Sequence, residues 1–303
     1  MKVYIPHVKE SWIIDRLVSE WYEYNIENSS KFLRNSDVVW NISPWAIKTK
    51  KKFYKNKKYI VSIYHFEDKD LTKENLEIFY SRDKFVDGYH VISLKSKEIL
   101  QELTKKPIKF IPFWVNQNNF FEINNKDLLK QKFNLRKDKF LIGSFQRDTE
   151  GRDLKSPKLI KGPDIFIEIA EKLFKKNKNL LVVLAGKRRQ FVIAELEKKG
   201  IPYKYFEMVN INTLNELYNT LDLYIVSSRV EGGPQAIVEC GITKTPILST
   251  DVGIAAEFLS EESIYNLDNF ELKRPNVEYA YQKAKNITIP KGFDDFINFF
   301  KEL

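Results

Sequence analysis

Two glutamates, Glu231 and Glu239, stand eight residues apart in "SSRVEGGPQAIVECG", residues 227–241, around a Gly-Gly-Pro turn. The preceding "DLYIVSS" has the apolar run of a buried strand, and "QAIVECGI" after it reads as a helix. Gly232 and Gly233 can take positive φ and allow close backbone approach, and Pro234 suits the first helical position. A helix start of this kind offers unpaired N–H groups to a phosphate. Glu231 then precedes the helix and Glu239 lies inside it, ~12 Å apart if the stretch were fully helical. Such a span is on the order of a sugar diphosphate plus ribose. Glycosidases place two carboxylates beside one scissile bond, which a pair this far apart cannot do. The two acids therefore read as binding groups that grip a long ligand at both ends.

The elements that must position them follow from the hydrophobic pattern. Apolar runs "KVYIP", "DVVWNI", "YIVSIYH", "GYHVISL" and "IKFIPF", then "KFLIGSF", "NLLVVLAG", "DLYIVSS" and "TPILST", alternate with helical stretches. The helices include "SWIIDRLVSEWYEY", "GPDIFIEIAEKLFKK", "QFVIAELEKKG" and "NTLNELYNTL". This alternation predicts βα units in parallel sheets. The polar stretch 116–139 separates the first five strands from the last four and reads as a linker with a short helix. The expected fold class is α/β with two doubly wound domains and a ligand cleft at the carboxyl ends of their strands. With 303 residues and 43% hydrophobic content, the chain has enough apolar material for two such cores.

Other chemistries find less support. A single cysteine, Cys240, and three histidines argue against a disulfide or a cysteine-based zinc site. Asp68 and Asp70 in "EDKD" form a D-x-D of the kind that holds manganese, a weak three-residue signal in a charged loop, and no metal is expected. No apolar run approaches the ~20 residues of a membrane span and no leader pattern opens the chain, so the expected location is the cytoplasm. The net charge of +9 is uneven, with seven lysines between Lys48 and Lys58 beside Trp45, Phe53, Tyr54 and Tyr59. Such a stripe suits a solvated face, nucleic-acid phosphates, or anionic lipid headgroups at about 1 kcal/mol per basic residue. No nucleic-acid module accompanies it. Contact at the inner face of a membrane is therefore favoured over nucleic acid.

The block "LYNTLDLYIVSSRVEGGPQAIVECGITKTPILSTDVGIAAEFL", residues 217–259, resembles the donor-domain core and E-x7-E signature of retaining GT-B glycosyltransferases of family four, group 1. The resemblance implies two Rossmann-like domains with a cleft between them: a shortened acceptor-side domain over 1–122, a nucleotide-sugar domain over 123–288, and a last helix, 289–303, packing back on the first. It implies a hexosyl transfer from a UDP- or GDP-sugar to a glycan, lipid-linked or other hydroxyl acceptor, independent of metal and of any further cofactor. Carried over by position, Glu231 holds sugar hydroxyls, the turn of Gly232, Gly233 and Pro234 together with Gln235 offers backbone donors from its non-proline residues, and Glu239 binds the ribose. Arg147 in "FLIGSFQRD" and Lys161 in "PKLIKGPDIF" take the diphosphate. Their separation exceeds the common family spacing, which leaves Arg152, Lys155 and Lys158 as alternatives to Lys161. Lys187 and Arg188 in "GKRR" fall near the same rim.

The likeness is weaker before residue 105. "YIVSIYHFED" resembles the strand that delivers an active-site histidine, which would be His65, near the transferred sugar. "PIKFIPFWVNQNNF" resembles the strand and turn before the interdomain linker, with Phe113, Trp114 and Asn116 departing from its Asn-Gly-Asp. His7 stands where relatives have a glycine-rich loop, and His90 reads as core. Two other readings stay open, a non-catalytic nucleotide-sugar-binding partner in a glycan-assembly complex and a sugar-nucleotide epimerase of the same fold.

Overall fold

The computed structural model describes residues 1–6, 13–45 and 56–303. His7 and the part of the lysine stripe from Lys48 to Lys55 lie outside the described residues. The chain forms two units, Met1–Trp114 with Ile289–Leu303, and Val115–Thr288.

The first unit is built on five parallel strands in the order β1-β2-β3-β4-β5: Val3–Tyr4, Val38–Asn41, Lys58–Ile63, Gly88–Val91 and Ile108–Phe110. Side chains alternate across the sheet, as the two-residue period of a strand requires. Val38, Trp40 and Ile60 face helix α1, Ile13–Tyr24, and the C-terminal helix Asp294–Glu302. Val39, Tyr59 and Val61 face the opposite layer with Phe79 of α2, Lys73–Asp83, and Leu100 of α3, Leu94–Leu103. Trp21, Trp40, Trp114, Phe293 and Phe296 form one aromatic cluster, with Trp21 and Trp40 centroids 5.3 Å apart and Trp114 4.5 Å from Phe293. Phe113 and Trp114 are large because they fill this core, and the Trp114 indole donates to buried Glu20 at 2.8 Å. His90 is also core: Ser62 Oγ lies 2.8 Å from its Nδ1 and its Nε2 lies 2.7 Å from the Ile111 carbonyl. Burial pushes this imidazole down to about 4.

The second unit carries six parallel strands in the order β10-β9-β6-β11-β12-β13. In chain order, with the helix α4 at Lys126–Lys132 first, they are β6 Phe140–Ser144, β9 Leu180–Ala185, β10 Tyr203–Phe206, β11 Leu223–Val226, β12 Ile247–Thr250 and β13 Ile264–Tyr265. An antiparallel hairpin of β7, Thr149–Glu150, and β8, Ser156–Pro157, interrupts the sequence. One face of the sheet packs α5, Pro163–Lys176, and α6, Gln190–Lys198. The other packs α7, Ile211–Thr220, α8, Gln235–Thr243, and α10, Val277–Lys285, with the short α9, Ala255–Phe258. The strand order reverses between β6 and β11, which is the topological switch point where open α/β sheets bind ligands.

The passage into this unit falls at Val115, not after residue 122. Phe120 is buried in the second core, and the amides of Phe121 and Ile123 donate to Asn215 and Asn219 at 3.1 and 2.8 Å. Residues 115–122 are therefore held by α7 and cannot serve as a free linker. No helix among the described residues is long and apolar enough to cross a membrane.

Candidate functional site

Two loops meet at the switch point, one leaving β6 with Gln146 and Arg147, the other leaving β11 with Ser227, Ser228 and Glu231. Between them comes the turn of Lys161 and Gly162 that opens α5. Gly162 has φ +59°, and a Cβ there would lie 1.7 Å from the Ser227 carbonyl, so only glycine lets the two loops touch. The contact is stitched by backbone: the amides of Arg229 and Val230 donate to Ile160 O at 2.8 and 3.1 Å. Arg229 adds a bidentate pair with Asp164 at 2.7 and 2.6 Å, holding that carboxyl below its usual range. The β11 loop is in this way fixed to the start of α5.

On this scaffold Lys161 Nζ makes a salt bridge to Glu231 Oε1, with side chains only 21% and 14% exposed. Ser228 Oγ lies 3.3 Å from the same carboxylate oxygen and 3.1 Å from Gln146 Oε1. Gln146 Nε2 donates to the Lys161 carbonyl at 2.8 Å. Lys158 belongs to the same cluster: partial burial, then the charges of Lys161 and Arg147, press its ammonium below its ordinary value, against the opposing pull of Glu231 and Glu150. Three cations, Arg147, Lys158 and Lys161, and two acids, Glu231 and Glu150, thus share this corner of the unit.

The long spacing between Arg147 and Lys161 has a physical resolution. Residues 149–157 fold into the β7–β8 hairpin, and Lys158 N returns to Asp148 O at 2.7 Å, so the extra chain is looped out. The hairpin base is clamped by a buried ion pair of Arg189 with Asp148, each 1% exposed. Arg189 also donates to Ala185 O at 3.0 Å and to Ser144 O. Lys158 thus joins Lys161 in place of substituting for it. Arg152 and Lys155 sit exposed on the hairpin, and Arg188 donates to the Gly151 carbonyl at 3.1 Å.

The glutamate turn differs in detail from its sequence reading. Helix α8 begins at Gln235 with Pro234 as its N-cap, not as its first residue. Only the last four steps to Glu239 are helical, about 6 Å of rise, so the fully helical ~12 Å does not apply. The positive-φ glycines of the unit are Gly151, Gly162, Gly186, Gly200 and Gly253, not the Gly232-Gly233 pair. The close approach is made by Gly253, φ +56°, whose added Cβ would meet Gly232 O at 2.5 Å. Gln235 Oε1 is buried and accepts no hydrogen bond, a group that calls for a donor.

Glu239 is 4% exposed, which excludes a solvated helix face. It accepts a hydrogen bond from the Tyr218 hydroxyl at 2.8 Å. Tyr218, Gln146, Ser228 and the Arg189–Asp148 clamp were not legible as site residues. Their common signal is a polar side chain within an otherwise apolar or loop-closing position, which only tertiary packing makes informative.

His65 belongs to the first unit, two residues past β3. Its Nε2 lies 3.6 Å from Glu67 Oε1, and its Nδ1 is buried without a partner. Asp70 of the D-x-D accepts from the Glu67 amide at 2.9 Å and closes a turn. Among the described residues no three His, Cys, Asp or Glu side chains group as metal ligands.

Residues 154–280 match the family model described as Glycosyl transferases group 1. No curated protein sequence matches the chain. Among solved structures, HepE of Anabaena, in complex with UDP and glucose, aligns with a TM-score of 0.75 at 10% identity over 100% of this chain and 99% of its own. Sucrose-phosphate synthase of Thermosynechococcus elongatus aligns at 0.71 and 10% identity, covering 98% and 80% of the two chains. A glycosyltransferase from Rickettsia africae aligns at 0.66 and 15% identity, covering 98% and 83%. At these identities the likeness is one of fold, and the fold is GT-B.

Proposed function

We propose, for a chain whose residues 154–280 match the Glycosyl transferases group 1 model and whose fold is GT-B, that it moves a hexose from a nucleoside-diphosphate sugar to a hydroxyl acceptor with retention of configuration and without a metal ion. The observation that carries this is the charge cluster at the switch point of the second unit, where Lys161 pairs with Glu231 and Lys158 lies within the fields of Arg147, Lys161 and Glu231. Fixed cations at that place neutralise the charge that grows on a leaving diphosphate. As the diphosphate claims Lys161, Glu231 is released to accept hydrogen bonds from sugar hydroxyls. Gly232, Gly233, Pro234 and Gln235 line the sugar's approach, and Glu239 takes the ribose hydroxyls.

In the transfer the bond from the anomeric carbon to the diphosphate oxygen breaks with oxocarbenium character. The acceptor oxygen attacks from the face the diphosphate leaves, and its proton passes to the departing phosphate. His65, with an unpartnered Nδ1, hydrogen-bonds the donor or the attacking hydroxyl. The HepE structures hold UDP with glucose and UDP-glucose, which favours a UDP-hexose over a GDP-sugar. The acceptor is a glycan or a lipid-linked hydroxyl, and Lys48–Lys58 would bring the protein to an anionic membrane from the cytoplasmic side.

The test is a thermal-shift panel of UDP, GDP, ADP and CMP with their common sugars, with and without EDTA, on the wild type and Glu239→Ala. A ligand at a hundredfold excess over its dissociation constant stabilises the fold by about 2.7 kcal/mol. The expected result is EDTA-insensitive stabilisation by one nucleotide series that Glu239→Ala loses. Absence of a shift with every nucleotide would sink the donor-site reading.

A further inference from the structure

Helix α7 contributes no residue to the loops at the switch point, yet its Tyr218 is hydrogen-bonded directly to Glu239 of α8. Tyr218 of α7 donates through its hydroxyl to Glu239 Oε2 at 2.8 Å. From the other side, Thr245 Oγ1 donates to the Tyr218 carbonyl at 3.0 Å and lies 2.8 Å from Thr243 Oγ1, which donates to the Glu239 carbonyl at 2.8 Å. The tyrosine hydroxyl thus holds the Glu239 carboxylate, while the two threonines tether the backbones on either side of it.

The pair is expensive as mere packing. Tyr218 is fully enclosed, with the rings of Phe145 and Tyr224 at 5.0 and 5.4 Å, and Glu239 is as hidden as an aliphatic residue. Burying a hydroxyl and a carboxylate costs the hydration of both, and an apolar pair of similar shape is commonly neutral or stabilising. Burial and the Glu239 charge push the phenol well above its ordinary value, so it stays a hydrogen-bond donor across the physiological range. Phe145 also leads directly into Gln146 and Arg147, and its amide donates to the Tyr224 hydroxyl at 2.9 Å. The aromatic wall that seats Tyr218 is therefore continuous with the β6 loop of the cation cluster.

We propose that Tyr218 is a positioning residue of the donor site, holding the Glu239 carboxylate in the one orientation that receives the ribose hydroxyls. The inference rests on the reading of Glu239 as the ribose ligand. It adds a residue that touches neither sugar nor phosphate but sets how tightly the nucleoside is held. Tyr218→Phe removes the single hydroxyl and keeps the ring, so the core remains filled.

The experiment measures UDP and 2′,3′-dideoxy-UDP affinities by calorimetry for the wild type, Tyr218→Phe, Glu239→Ala and the double variant, with steady-state kinetics on the donor sugar. Tyr218→Phe should bind UDP about tenfold more weakly, which is about 1.4 kcal/mol. It should match the wild type on the dideoxy nucleotide and raise KM with kcat nearly unchanged. Added to Glu239→Ala, the same change should cost less than about twofold, because its partner is gone. An equal loss on both nucleotides, or a full additional loss in the double variant, would mark Tyr218 as structural only. If Glu239→Ala weakens UDP and Tyr218→Phe does not, the positioning role fails while the donor site stands. If Glu239→Ala leaves UDP affinity intact, the ribose assignment itself fails and the role of Tyr218 with it.

Discussion

Both units of this chain are parallel sheets covered by helices on two faces, but they use their polar residues in opposite ways. In the first, the strands run in chain order, and the buried polar groups Glu20, Ser62 and His90 are spent on one another and on indoles and carbonyls of the aromatic core. In the second, the order reverses between β6 and β11, and polar side chains gather where the two loops part. A reversal leaves a crevice because helices on either side of it turn away from each other. The same class of layer thus gives a closed core in one case and a charged loop junction, the proposed donor site, in the other. Tyr218 shows the point at the level of one residue, since its hydroxyl serves a carboxylate of the proposed donor site, while Trp114 serves Glu20 in a core.

The sharpest way to break this contrast is to remove the acid from the cation cluster. Glu231→Ala should lower sugar transfer by about a thousandfold, in line with loss of a group that meets the reacting sugar, while leaving the melting temperature within a few degrees. Full activity in that variant would end the assignment. Glu231→Gln carries a further expectation opposite in sign: with Lys161 released, UDP without its sugar should bind a few-fold more tightly even as transfer is lost. Calorimetry on the two variants checks both.

Next in size is the clamp below the site. Asp148→Ala leaves the buried Arg189 guanidinium without its partner and should destabilise the protein by about 3–5 kcal/mol. Denaturant unfolding with and without UDP would measure it, and a loss below 1 kcal/mol would show that the hairpin base is not held by this pair.

The corresponding test of the first unit uses pH. Burial holds His90 near 4, well under the ordinary 6.5. Above pH 6.5 neither the folded nor the unfolded imidazole is charged. Between 6.5 and 4 the unfolded chain takes a proton that the folded chain refuses, so stability falls as the pH falls, by about 3 kcal/mol in all. His90→Gln should flatten the melting temperature between pH 7 and 4.5 relative to the wild type. Parallel slopes for the two proteins would count against a neutral buried histidine.

The sequence was most readable where burial is uniform. All nine apolar runs became strands, because parallel strands buried on both faces need nearly continuous hydrophobic stretches. Strand β10, "YKYF", carries no apolar run because it is a half-exposed edge with a lysine within it. The two-residue strands β7 and β13 carry too little pattern to register. In the site, Glu231 is marked by its place before the Gly-Gly-Pro turn, and Arg147 and Lys161 by their positions in the family resemblance. Gln146, Ser228 and Tyr218 did not, because a glutamine, a serine and a tyrosine are ordinary anywhere.

By itself the chain's sequence determined the α/β class, the strand-turn-helix around Glu231 and the presence of basic groups at the ends of β6 and its successor turn. These depend on local period and on residue type. Only the tertiary structure decided which cations share one site, that the insert between Arg147 and Lys161 is looped out, and that Glu239 is gripped by Tyr218 from another helix. Those outcomes depend on distances between segments up to 84 residues apart in the chain, from Arg147 to Glu231, which no local pattern encodes and which packing of the six-stranded sheet sets.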